Sequence, residues 1–215
     1  SNHARWVRPL MQFMLMPTNT AKTFADEEAT FRDIQAFILS LRAPKYPFPI
    51  DAHAAAQGEA LFTKHCASCH GVYGEKWTYP NKVAAIDLIG TDRTRFEGLS
   101  RAVGAHYNQS WFGKEPLKGP LLVEPIGYQA PPLDGVWATA PYFHNGSVPT
   151  LEHVLNSKSR PRIFTRSYRT DEAAYDKERV GWKVQVLQHG PDPSLPGIER
   201  RRIYDTTQPG RGNGG

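Results

Sequence analysis

The chain has 215 residues, 40% of them hydrophobic, enough to enclose a core in one large domain or in one domain with sizeable extensions. Eighteen prolines and 18 glycines point to long ordered loops around a small helical core rather than to a sheet protein. The net charge of +5 comes without a sustained basic run, since Arg200-Arg201-Arg202 follows Glu199; this argues against a nucleic-acid binder and leaves a solvated face suited to an acidic partner.

No stretch has the length of a membrane span. The chain opens without methionine and without a signal peptide; Ser1-Asn2 reads as an expression remnant, and the sequence is expected to be a piece of a longer protein.

Residues 3–16, with Trp6, Val7, Leu10, Phe13 and Met14 before Pro17, read as a short amphipathic helix. Met11, Met14 and Met16 are all the methionines of the chain, and packing explains them better than metal ligation. Over 26–42, Phe31, Ile34, Ile38 and Leu41 recur at helical steps, with Asp26, Glu27 and Glu28 in the first turn. Pro44, Pro47 and Pro49 then make a stiff connector. Residues 1–50 are thus expected to be an N-terminal helical extension, a remnant of an upstream domain.

Residues 51–65 read as a helix capped by Asp51, rich in alanine, with Leu61 and Phe62 for apolar contacts. Gly58 and Phe62 share a face where another helix can cross closely. The helix runs into Cys66-Ala67-Ser68-Cys69-His70, the attachment signature of c-type haem. Two thiols three positions apart reach two vinyl groups of one porphyrin, and the next residue offers its imidazole to the iron. A redox dithiol would need a βαβ context, a zinc site a second ligand pair, and a disulfide over so short a loop would constrain little. Both cysteines of the chain lie in this motif, which implies one covalent haem c. Ala-Gln-Gly-Glu-Ala-Leu-Phe at 56–62 ahead of this motif resembles the N-terminal helix of class I cytochromes c.

After His70, a loop over 71–90 carries Tyr73, Trp77, Tyr79 and Pro80. Its aromatics, Trp77 among them, are candidates to wall a haem edge. In cytochromes c a proline carbonyl often accepts from the proximal imidazole, and Pro80 is the candidate for that role. Thr91 is read as the cap of a helix over 92–104, and 105–135 as loop.

The second concentrated signal runs from Pro131 to Leu151 and includes Thr139-Ala140-Pro141-Tyr142-Phe143-His144-Asn145-Gly146-Ser147. Its composition gives a tight loop entering a short helix capped by Thr150. It resembles the C-terminal haem domain of bacterial di-haem cytochrome c peroxidases; Trp137-Ala138-Thr139 before it and Val148-Pro149-Thr150-Leu151 after it look most like the rubber-oxygenase-related branch. The resemblance implies a mainly α, class I cytochrome c-like haem domain over 51–187, with Tyr142 and Phe143 near the cofactor. The peroxidases place a methionine ligand in the following helix, but 151–158 has none, and no methionine follows Cys69. Among eight histidines, His144 is then the candidate sixth ligand beside His70; His106 and His153 are read as surface residues.

Ile163-Phe164-Thr165 and 182–186 are expected strands of a small peripheral hairpin, and 188–215 an irregular, flexible extension. The expected function is a mono-haem cytochrome passing single electrons to a redox partner or an upstream haem domain. The alternative is a haem peroxidase or oxygenase with an open sixth site. Cytochromes of this kind acquire haem outside the bacterial inner membrane, so a periplasmic or secreted location is expected.

Overall fold

The computed structural model describes residues 7–114, 117 and 121–215, so His3 and Trp6 of the expected first helix lie outside the described residues. Helices form at α1 (Ala21–Asp26), α2 (Glu28–Ser40), α3 (Ala52–His65), α4 (Ala67–His70), α5 (Ile86–Ile89), α6 (Thr94–Gly98), α7 (Arg101–Gln109), α8 (Leu151–Leu155) and α9 (Gly197–Arg202). Strands form at β1 (Val83–Ala85), β2 (Gly127–Gln129), β3 (Ile163–Thr165), β4 (Tyr175–Asp176), β5 (Gly181–Trp182), β6 (Gln185–Val186) and β7 (Ile203–Asp205). Two units result: one takes the segment ending at Ala43 with Glu97–Ile126, the other Pro44–Phe96 with Gly127–Gly215.

In the first unit, Arg8–Met14 is a 3-10 helix with Pro9 in its opening turn. Thr20 and Thr23 cap α1 reciprocally, each side chain bonded to the other's backbone N–H. Phe24, Tyr107, Phe112 and Leu117 form the core, with Met11, Phe31 and Trp111 packed on it. Arg8 is buried beside them, its guanidinium 2.6 Å from Glu28 and 2.5 Å from the Leu117 carbonyl. Met14 and Met16 are exposed instead of packed. So is much of the apolar stripe expected to pack on α2, including Ile34 and Ile38.

The single helix expected at 92–104 is two. Leu99 and Ser100 interrupt it just after Gly98, and Ser100 caps α7 by accepting from the Val103 N–H. Thr91 is buried with its hydroxyl unbonded among the described residues; Asp92 accepts the Thr94 N–H instead.

The second unit carries small antiparallel sheets on irregular chain. β1 pairs with β2, Val83 opposite Gln129, inside the span read as loop. β3 is central, flanked by β6 and β7. Trp182 leaves that sheet and pairs with Tyr175 in β4–β5. The expected hairpin of 163–165 with 182–186 is therefore divided between two sheets. The end of the chain, read as irregular, holds α9 and β7 and is bonded by Asn145, whose Nδ2 donates to the Gly210 and Gly212 carbonyls. No helix among the described residues is long and apolar enough to cross a membrane.

Candidate haem site

Asp51 sets where the motif helix begins. Its Oδ1 accepts from the N–H groups of His53 and Ala54 at 2.9 and 3.0 Å, and α3 runs from there to His65. At Cys66 the chain turns, and its carbonyl accepts from the N–H groups of Cys69 and His70, both at 3.0 Å, winding α4. Cys66 and Cys69 are unlinked and half-buried, so both thiols remain available for thioethers. Gly71 follows at φ 88°, where a Cβ would collide with the Thr78 carbonyl; only glycine lets the chain leave His70 this closely. Phe62 meets Tyr73 edge-on at 5.9 Å. The expected helix crossing at Gly58 is not found: nothing among the described residues lies within 4 Å of a Cβ position there, and Leu61 is 61% exposed.

The His70 ring is oriented from a distance. Its Nδ1 stands 2.8 Å from the carbonyl oxygen of Pro131, which leaves Nε2 as the nitrogen available to iron. The proline carbonyl expected at Pro80 is thus supplied by Pro131, and Pro80 is exposed. Two tyrosines hold the Pro131 segment. The Tyr73 hydroxyl donates to the His70 carbonyl at 2.9 Å and accepts the Leu133 N–H at 2.7 Å; the Tyr79 hydroxyl donates to the Ala130 carbonyl at 2.6 Å. Burial pushes the Tyr73 phenol upward, the Leu133 N–H opposes this, and it remains a neutral donor at ordinary pH. Trp77 is exposed and donates from Nε1 to Asp134 at 3.2 Å, in the same strip of chain.

His144 sits in the second motif. Its ring stacks on Tyr128 of β2, centroids 4.9 Å apart, and its Nε2 is buried without a hydrogen-bond partner among the described residues. Burial holds the imidazole toward its neutral form; the charge of Asp92 opposes this and that of Arg95 adds to it. Tyr128 and Pro131 are three positions apart, so one short stretch of chain contacts both His144 and His70.

The neighbours of His144 tie its loop to the surrounding chain. Tyr142 is buried, its hydroxyl shared between the Val136 and Val180 carbonyls at 3.2 Å each, and burial raises its pKa strongly. Phe143 takes φ 64°, unusual for a non-glycine residue, with the Arg160 guanidinium 4.9 Å over its ring. Arg160 also donates to the carbonyls of His153, Val154, Asn213 and Gly215. His153, read as a surface residue, is buried: its Nδ1 lies 2.7 Å from Oγ1 of Thr150, the cap of α8. His106 is exposed, as expected.

These residues fit a haem c. Two free thiols adjoin a histidine whose Nδ1 is already bonded, and a neutral imidazole elsewhere in the unit keeps a buried nitrogen unpaired. Leaving such a nitrogen unbonded is costly unless a ligand takes it.

Comparison with known families agrees. The cytochrome c family matches residues 55–120, and the family described as RoxA-like, cytochrome c-like matches residues 127–165. Two uncharacterized proteins of Sinorhizobium fredii (strain NBRC 101917 / NGR234) are similar to the chain. One, y4iM, is 31% identical over 208 residues, 83% of this chain and 44% of the relative. The other, y4iJ, is 26% identical over 231 residues, 81% of this chain and 36% of the relative. The chain therefore spans less than half the length of either relative. It is a haem c-binding cytochrome domain, mainly α in class with a few small antiparallel sheets. Within the c-type cytochromes it is related to the RoxA-like, rubber-oxygenase branch.

Proposed function

We propose that this chain is a mono-haem electron-transfer domain with His70 as proximal ligand and His144 as sixth ligand. When bound, haem c supplies a one-electron ferric/ferrous couple. Cys66 and Cys69 anchor it covalently, and Pro131 fixes the tautomer and plane of His70. The observation that carries the reading is the buried, unpartnered Nε2 of His144. With haem bound, the His144 imidazole would hold the iron and exclude peroxide or dioxygen from it, which favours electron passage over their binding.

The resemblance to the RoxA-like branch supports work inside a larger multi-haem protein, with an upstream haem domain or a separate redox protein as partner. Covalent haem attachment supports a periplasmic or secreted location in a bacterium.

A potentiometric titration of the purified holoprotein, followed by addition of cyanide and hydrogen peroxide, tests the reading. The expected result is a single reversible one-electron wave and a ferric spectrum that neither reagent changes within seconds. Rapid cyanide binding would overturn it and assign an open iron site.

A further inference from the structure

α9 ends in three consecutive arginines that fare differently. Arg202 donates to Glu199 at 3.1 Å and lies 4.9 Å over the Tyr168 ring. Arg200 and Arg201 have no carboxylate partner among the described residues. Even so, a terminal nitrogen of each comes within 4.0 Å of the position a Cβ would take on Gly197, so two like charges stand side by side. Arg211 adds a third guanidinium, 5.6 Å from the Tyr204 ring and likewise without a carboxylate partner.

All three line one open groove of about 910 Å³. It shares His189, Gly190 and Asp205 with a neighbouring hollow of about 520 Å³ that Arg162 borders. The carboxylates of the groove are occupied by their own loops. Asp192 accepts the Ser194 N–H at 2.8 Å. Buried Asp205 accepts from the N–H and hydroxyl of Thr207 at 3.0 and 2.7 Å. The groove therefore presents guanidinium groups that its own acids do not pair: Asp205 is buried, and exposed Asp192 is bonded to its own loop.

Its position matters as much as its charge. Gln208 and Arg211 of the groove lie on the same stretch of chain as Gly210 and Gly212, whose carbonyls accept from Asn145, the residue after His144. We propose that this groove docks the carboxylate-rich face of a redox partner protein on the His144 side of the domain. The inference rests on the electron-transfer reading and names its partner's chemistry. A protein face fits better than a small anion: the groove is open, and Arg200 and Arg201 stand on exposed stems that no carboxylate among the described residues fixes in place.

The test is calorimetric titration of the full holoprotein with a deca-glutamate peptide at low and physiological salt. The expected result is saturable binding that weakens about tenfold on raising salt, and at least about tenfold in the triple variant Arg200→Glu, Arg201→Glu, Arg211→Glu. The milder triple change of the same residues to Gln guards against misfolding and is expected to weaken binding to an intermediate degree, with an unchanged haem spectrum. A charge-matched control, Lys45→Glu, Lys82→Glu, Lys158→Glu, is expected to lose less than about twofold. An equal loss in the control would overturn the proposal, because net charge alone would then explain binding. Saturable binding of inorganic pyrophosphate without binding of the peptide would also overturn it, in favour of a small-anion site. The two readings fail separately: peptide binding by a protein whose iron is open sinks electron transfer alone, and a closed iron without peptide binding sinks the groove alone.

Discussion

His70 Nδ1 and the carbonyl oxygen of Pro131 stand 2.8 Å apart across 61 positions of sequence. That contact joins the attachment motif to the second motif and decides which nitrogen of His70 is left for iron. It does not act alone, because Tyr73 grips both sides of it, bonding the His70 carbonyl and the Leu133 N–H through one hydroxyl.

Replacing Tyr73 by Phe removes that double contact. The change is expected to destabilise the holoprotein by about 1–2 kcal/mol, since one partly buried donor and one acceptor lose their partner. It is also expected to raise the reduction potential, as a looser imidazole hydrogen bond donates less electron density to ferric iron. Urea unfolding and potentiometry check both effects. A variant with lost stability and an unmoved potential would show that Tyr73 only packs.

Gly71→Ala tests the turn that follows the motif. With φ at 88° and the Thr78 carbonyl in the way, alanine forces the backbone after His70 to shift. The expected cost is about 1–3 kcal/mol, together with a lower yield of haem-loaded protein at equal expression. Gly74→Ala is the comparison: it has a similar φ of 87° but open space around it, so its cost should be strain alone.

Buried His153 gives the domain an acid sensitivity. Burial depresses its pKa below the usual 6.5, with Glu152 opposing and Arg179 and Arg160 adding to the effect. The unfolded chain then takes up a proton near pH 6.5 that the native imidazole refuses until lower pH. Stability is therefore full above about pH 6.5 and declines as pH falls toward the native pKa. His153→Gln, which cannot titrate, is expected to flatten the change in urea midpoint between pH 7.5 and pH 5. Identical slopes for the two proteins would remove His153 as the cause.

The first unit depends on Arg8. Its guanidinium, 8% exposed, neutralises Glu28 and bonds the Leu117 carbonyl. Arg8→Ala leaves both without it and is expected to cost about 2–3 kcal/mol, less than a fully enclosed pair because Glu28 keeps some solvent. Differential scanning calorimetry should show the loss in the transition of that unit.

The parts of the fold that the sequence made legible are local ones. Asp51 caps α3, Thr150 caps α8, and the attachment motif follows from spacing within five residues. What escaped depends on partners distant in sequence. Pro80 is the first proline after the attachment motif, within the aromatic loop, yet the carbonyl that meets His70 belongs to Pro131, and no local pattern encodes a closure of that length. His153 looks like a surface residue on a short polar helix; Thr150 and Arg160 enclose it only after α8 folds against later chain. The apolar neighbours of Trp182 suggest a hairpin with Ile163–Thr165, but Gly181 at φ 158° lets the chain approach Pro149 and pair with β4 instead. Asn145 could have been found, since an amide in a tight Asn-Gly turn commonly bonds backbone; here it ties the second motif to Gly210 and Gly212.

Electron transfer as proposed depends on His144 closing the iron. Electron paramagnetic resonance of the ferric holoprotein, beside the His144→Ala variant, tests it most directly. A low-spin signal is expected in the parent and a high-spin signal in the variant, with haem still covalently attached through Cys66 and Cys69. A parent signal that is already high-spin, or a variant that stays low-spin, would contradict it.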